Sequence, residues 1–203
     1  MAAKMFFEKR RRDWRLGRWT GKLDVFRHLG AKADRARFSQ LEILAAADGA
    51  PEVFQEAKPF PIALSISHSA DISFCAVAAA GAALGCDLEE IRPREENFAS
   101  DYFTPDEIDA VDRASAADRS LLVTLILSAK ESALKALRQG LRRDTRSVRV
   151  DLPAARGDGW TSLTIHDLES SRVFTGWWQL HGSLVRTIAT DCTSAPPAEH
   201  ICS

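Results

Sequence analysis

Residues 84–89 read Leu84-Gly85-Cys86-Asp87-Leu88-Glu89, and the architecture follows from this segment. Period two predicts a strand that points Asp87 and Glu89 to the same face. Leu84, Cys86 and Leu88 are apolar, so the strand is at least half buried. Two carboxylates on one face of such a strand repel each other unless a cation sits between them. Hard oxygen donors of this kind suit magnesium. An edge strand with solvated acids explains the pair equally well.

Upstream, residues 72–80 form an apolar run that predicts a buried strand, with Gly81 as a break. Residues 62–67 predict another strand, and His68-Ser69-Ala70-Asp71 the turn between them. Lys58-Pro59 and Pro61 mark a loop, Asp48-Gly49-Ala50-Pro51 a turn, and residues 35–47 a second helix. Residues 8–30 predict the first helix. Trp14, Leu16, Trp19, Leu23, Phe26 and Leu29 recur at helical spacing, while Arg11, Arg15, Arg18 and Lys22 share one side.

Downstream, Arg92-Pro93-Arg94 ends the strand. Thr104-Pro105-Asp106-Glu107 is a helix start with Thr104 as N-cap. Residues 118–138 predict the strongest helix, with Gly140 as its stop. Residues 147–152, 162–167, 173–181 and 183–190 predict strands, the last two a hairpin around His181-Gly182; residues 193–203 predict a loose tail. The layout is mixed α and β.

The composition, 45% apolar and 27% charged over 203 residues, excludes a disordered chain and a coiled coil. No apolar run approaches the roughly 20 residues of a membrane helix. Residues 1–22 hold no apolar signal core, so the expected location is the cytoplasm, with no membrane partner. Net charge is −1, but residues 1–37 carry twelve Lys/Arg against four Asp/Glu. Residues 87–118 carry eleven acids against three bases, and residues 130–149 seven bases against two acids. Such blocks are either solvated faces or walls that hold ions of opposite sign. Cys75, Cys86, Cys192 and Cys202 make no C-x-x-C pair, so thiolate zinc is not expected and the thiols read as reduced.

Glu131 lies in Lys130-Glu131-Ser132-Ala133-Leu134-Lys135, four residues before Lys135. That spacing describes a surface ion pair, or a charged strip facing something polar from an otherwise apolar helix. Ser67-His68-Ser69 places a histidine between two hydroxyls at a strand end, able to bond an anion or to be satisfied in a turn. A G-x-S-x-G elbow, a Walker-type phosphate loop and a G-x-G-x-x-G are all missing, which removes the usual hydrolase and nucleotide-fold readings.

Three segments in order resemble one family: Leu64-Ser65-Ile66-Ser67-His68-Ser69, Leu84-Gly85-Cys86-Asp87-Leu88-Glu89, and Ser128-Ala129-Lys130-Glu131-Ser132-Ala133-Leu134-Lys135-Ala136. His68 and Asp87 are nineteen apart, Asp87 and Glu131 forty-four. The pattern resembles the surfactin-synthetase-activating type of 4′-phosphopantetheinyl transferase. Trp14-Arg15-Leu16-Gly17-Arg18-Trp19-Thr20-Gly21-Lys22 is similar to its basic first helix, and Tyr102-Phe103-Thr104-Pro105-Asp106-Glu107 to a later helix start. Leu127 replaces the usual aromatic and Cys86 the usual valine or isoleucine, both at packing positions.

The resemblance implies an α+β fold: a pseudo-dimer of two similar α/β subdomains, about 1–80 and 81–192, with the active site in the cleft between them. It implies transfer of 4′-phosphopantetheine from coenzyme A to a serine of an apo acyl, polyketide or peptidyl carrier protein, releasing adenosine 3′,5′-bisphosphate. It further implies that Asp87, Glu89 and Glu131 hold Mg²⁺, with Mn²⁺ as a substitute. Glu131, Lys135 and His68 would be catalytic, Glu131 as direct or water-relayed base. Arg18, Lys22, Lys58, Ser67, His68, Lys130 and Lys135 would bind coenzyme A. The basic residues of 138–149 could meet an acidic carrier, and a monomer is expected. A nucleic-acid module, suggested by Lys9-Arg10-Arg11-Arg12 and Trp14, lacks any fold signature, so no nucleic-acid partner is expected. A non-catalytic carrier-binding scaffold is disfavoured because all three acids are present.

Overall fold

The computed structural model describes residues 2–31, 35–152, 157–192 and 195–199, without the side chains of 2–7, 35, 36 and 141. In chain order the elements are α1 (Ala2–His28), α2 (Arg35–Gln40), β1 (Leu41–Ala45), β2 (Pro51–Gln55), β3 (Lys58–Pro59), β4 (Ile62–Ser69), β5 (Ile72–Ala79) and β6 (Leu84–Glu90). They continue with α3 (Phe98–Tyr102), α4 (Pro105–Arg113), α5 (Ala116–Ala136), β7 (Val148–Asp151), β8 (Thr161–Asp167), β9 (Val173–His181) and β10 (Leu184–Thr190). The mixture of helix and strand is as expected, and among the described residues no helix is long and apolar enough to cross a membrane.

Three antiparallel sheets carry the strands: β1-β2-β3, the hairpin β4-β5, and a five-stranded sheet in the order β6-β10-β9-β8-β7. Each long helix covers strands with its apolar stripe. Val25 and Phe26 of α1 pack on Leu41, Ile43, Val53 and Leu64. Ala129, Ala133 and Leu134 of α5 pack on Val148, Ile165, Phe174 and Val185. A fully buried side chain such as Leu134 contributes about 1.5–3 kcal/mol by leaving water.

Four local expectations change. Residues 41–45 are strand, not helix: Leu41 and Ile43 are buried while Glu42 and Leu44 are exposed, a period of two hidden by the helix-forming residue types. Their partner β2 lies in the expected loop region. Its proline opens the strand opposite Ala45, a first-residue position where proline is tolerated. The turn after β4 is shorter than expected. His68 and Ser69 stay in the ladder, and only Ala70 and Asp71 turn, at φ 49° and 61°. Finally, α5 ends before Gly140. Arg138 takes the left-handed position (φ 57°), and the Gln139 N–H bonds the Leu134 carbonyl at 2.9 Å.

Of the expected tail, residues 195–199 are described, and the Glu199 carboxylate pairs with Arg186 at 2.5 Å. Residues 193–194 and 200–203, Cys202 among them, lie outside the described residues. Among the described residues, Cys75, Cys86 and Cys192 form no disulfide.

Two contacts position the site. A Cβ on Gly85 would lie 1.8 Å from the Ser132 carbonyl oxygen, so the α5 backbone rests directly on β6. The outer edge of β6 is closed by hydroxyls instead of a strand. The Cys86 N–H donates to Ser65 Oγ at 2.9 Å and the Leu88 N–H to Ser67 Oγ at 3.2 Å. Those two serines project from one face of β4 and tie the hairpin to the five-stranded sheet.

Candidate active site

Asp87 and Glu89 leave the face of β6 that Gly85 opens to α5, and Glu131 comes from α5. One carboxylate oxygen from each lies within 4.8 Å of the others. Asp87 is buried and the other two are half-buried. Burial, then the charges of neighbouring acids, raises the proton affinity of Glu89 and pushes Glu131 up to about 7. Three carboxylates held this close form a hard-oxygen donor set of the kind that binds a divalent cation.

Asp87 is the most constrained of the three. Ser67 Oγ donates to Oδ1 at 2.8 Å, Lys135 Nζ to the same oxygen at 2.7 Å, and Ser128 Oγ to Oδ2 at 2.9 Å. Lys135 also donates to the Cys86 carbonyl at 3.1 Å. Burial alone would lower its affinity for a proton, but the charges of Asp87 and its neighbours outweigh that and raise it, so Lys135 stays an ammonium. Its side chain keeps 29% of its surface exposed, enough to meet a ligand. Arg94 pairs with Glu89 at 3.3 Å and lies over the Phe98 ring at 5.0 Å.

Lys130 does not join this group. Its side chain is fully buried, with Nζ 2.7 Å from Glu107 Oε2 and donating to the carbonyls of Thr145 and Val148 at 3.0 and 2.6 Å. Every ammonium proton has an internal partner, so the expected contact of Lys130 with coenzyme A has no open donor in this structure. Ser67 also departs from expectation. Its proton goes to Asp87, and its oxygen accepts from Leu88 N and Lys135, so it holds Asp87 and has no proton for a phosphate.

His68 faces the opposite side of β4, against α1. A Cβ on Gly17 would fall 2.5 Å from His68 Nε2, so this glycine makes room for the ring. Burial lowers its proton affinity, and Nε2 is buried without a partner. Nε of Arg18 is likewise buried without a partner, its guanidinium 4.8 Å from the Trp14 ring. Lys22 donates to the Phe38 carbonyl at 3.0 Å, and Lys58 is exposed on β3. The arginines of 138–149 do not form a free basic strip. Arg138 pairs with Asp48 and Glu52, Arg143 with Asp167, Arg146 with Asp144, and Arg149 with Asp151, while Arg142 bonds carbonyls. A cleft of about 810 Å³ is lined by Phe54, Phe60, Ser65 and Lys135 among others, but by none of the three acids.

Ser128, Thr187 and Glu107 carry weight in this arrangement that the sequence reading did not give them. Ser128 sits three residues before Glu131 and Lys135 four after, which puts all three on one helix face; Lys130 is turned about 100° away. That signal was available. Thr187 had none, because only the register of β10 against β6 sets it opposite Asp87.

A carboxylate trio braced by a lysine, between a sheet edge and a helix, defines the class: a site whose donors suit a divalent cation. The family model of the 4′-phosphopantetheinyl transferase superfamily matches residues 83–184, half of the chain, and the chain belongs to that superfamily. The superfamily's reaction is transfer of phosphopantetheine from coenzyme A to carrier proteins. No curated protein matches the chain.

Proposed function

We propose that this chain is a magnesium-dependent 4′-phosphopantetheinyl transferase of the surfactin-synthetase-activating, holo-carrier-protein synthase type. The reading is carried by the convergence of Asp87, Glu89 and Glu131, from two elements forty-four residues apart, on one point. These three would hold Mg²⁺, which when bound neutralises charge on the coenzyme A pyrophosphate. Lys135 sets its ammonium beside the same charge. Glu131 takes the proton of the carrier serine, directly or through one water. The serine oxygen then bonds the phosphorus nearer the pantetheine. The bridging P–O bond breaks, and adenosine 3′,5′-bisphosphate leaves.

The unpartnered His68 Nε2 and Arg18 Nε support a nucleotide phosphate between α1 and β4. Lys22 and Lys58 stand further out as secondary contacts, and Lys130 drops out of the ligand set. Residues 1–80 and 81–192 act as the two halves, each a long helix on antiparallel strands, with the reaction at their junction. The chain works as a cytoplasmic monomer on an apo carrier protein. The paired arginines of 138–149 do not support that segment as the carrier surface.

The test is incorporation of labelled phosphopantetheine into an apo carrier. Asp87→Ala and Glu131→Gln should each lose nearly all transfer; wild-type rates in both would end the metal assignment. Coenzyme A affinity should weaken in Arg18→Ala/Lys22→Ala, and an unchanged affinity would remove α1 from the site.

A further inference from the structure

Behind Asp87 runs a buried line of hydroxyls. Ser128 Oγ is 2.9 Å from Asp87 Oδ2 and 2.9 Å from Thr187 Oγ1, and Thr187 Oγ1 is 2.7 Å from Ser132 Oγ. Ser128 and Ser132 have no exposed surface and Thr187 has 1%, so water does not complete this network. The chemistry fixes its direction. An ionised carboxylate only accepts, so Ser128 gives its single proton to Asp87. The Ser128 oxygen then accepts from Thr187, and Ser132 Oγ bonds both the Thr187 carbonyl, at 3.2 Å, and Thr187 Oγ1. The Thr187 and Ser128 O–H groups point toward Asp87, and hydrogen bonds aligned in series strengthen one another.

We propose that Ser128 is a positioning residue for Asp87, and that Thr187 and Ser132 orient it. The inference rests on the metal reading above. Ser67 and Lys135 hold Oδ1, and Ser128 holds Oδ2 from the opposite side. The carboxylate is therefore fixed in rotation, with one acceptor site on Oδ2 left over, and one of its oxygens stays within 4.8 Å of oxygens from Glu89 and Glu131. Ser128 touches neither coenzyme A nor the reacting atoms; it acts through Asp87.

The experiment measures Mn²⁺ affinity by electron paramagnetic resonance on the purified full chain, with thermal melts of each variant beside it. Ser128→Ala should weaken Mn²⁺ binding by about tenfold or more, the usual range for losing a partner of a metal ligand. Thr187→Val keeps the shape and removes the relay, and should weaken binding a few-fold. Thr187→Ser keeps the hydroxyl and should restore the wild-type value. Transfer lost in Ser128→Ala should return at saturating Mn²⁺. Wild-type affinity in Ser128→Ala, or equal affinities in Thr187→Val and Thr187→Ser, would overturn the proposal. If Ser128→Ala does not fold, the Thr187 pair decides by the same criterion. If the wild type binds no Mn²⁺, the metal reading itself falls and takes this one with it. Binding in the wild type with no difference among folded variants removes the positioning role alone.

Discussion

Helix α5 presents two lysines five residues apart, each paired at 2.7 Å with a carboxylate 2% exposed, and they do opposite jobs. Lys130 is sealed. Glu107 meets its ammonium, accepts from the Thr104 N–H at the start of α4 and from the Val150 N–H on β7, and so joins α4, α5 and β7. Lys135 is braced by Asp87 yet keeps an open side beside two further acids. Charge and pairing alone do not mark a functional group. Each ammonium has three internal acceptors; what separates the two is whether solvent reaches it, since Lys130 is fully buried and Lys135 is 29% exposed.

Breaking the sealed pair should produce the largest effect. Lys130→Met leaves the Glu107 carboxylate buried and uncompensated, which costs about 3–5 kcal/mol. The measurement is denaturant unfolding, and a loss under about 1 kcal/mol would contradict the sealed assignment. Lys135→Met should behave the other way. Asp87 retains Ser67 and Ser128, so the chain folds, while phosphopantetheine transfer drops by about 10²-fold or more as the charge facing the phosphate disappears. Removing both partners of the sealed pair sharpens the contrast. Lys130→Met/Glu107→Gln should recover part of the stability lost in Lys130→Met: no carboxylate is stranded, but the Gln amide accepts from only one of the Thr104 and Val150 N–H groups. Equal losses in the single and double variants would show that the damage comes from packing and unmet hydrogen bonds instead of the stranded charge.

The smallest effect concerns a third buried carboxylate, Asp167, distant from the site. Burial alone would raise its affinity for a proton, but Arg143, Ser170 and the Glu169 N–H outweigh that and hold it at about 2. A depressed carboxylate adds stability that is complete above its unfolded value near 4 and disappears as pH falls toward 2. Asp167→Asn should therefore lower the melting temperature at pH 6, and its gap to wild type should close as pH falls below about 4. Transfer activity should not change. A gap constant with pH would assign the loss to geometry rather than charge.

Much of the site was legible in the order of residues. Asp87 and Glu89 fall on one face of any strand, and Glu131 and Lys135 on one face of any helix, because both periods are local properties of the backbone. Thr104-Pro105-Asp106-Glu107 marks a helix start for the same reason, and the start is where expected. Residues 41–45 misled because leucine, glutamate and alanine suit a helix, and their strand exists only through pairing with β2. Packing supplied the rest. Gly85 admits the α5 backbone onto β6, which is what brings acids of two elements within 4.8 Å. The same packing turns Lys130 into the interior and sets Thr187 behind Asp87, because a side chain's partners across elements depend on register and helix rotation, which no local period encodes.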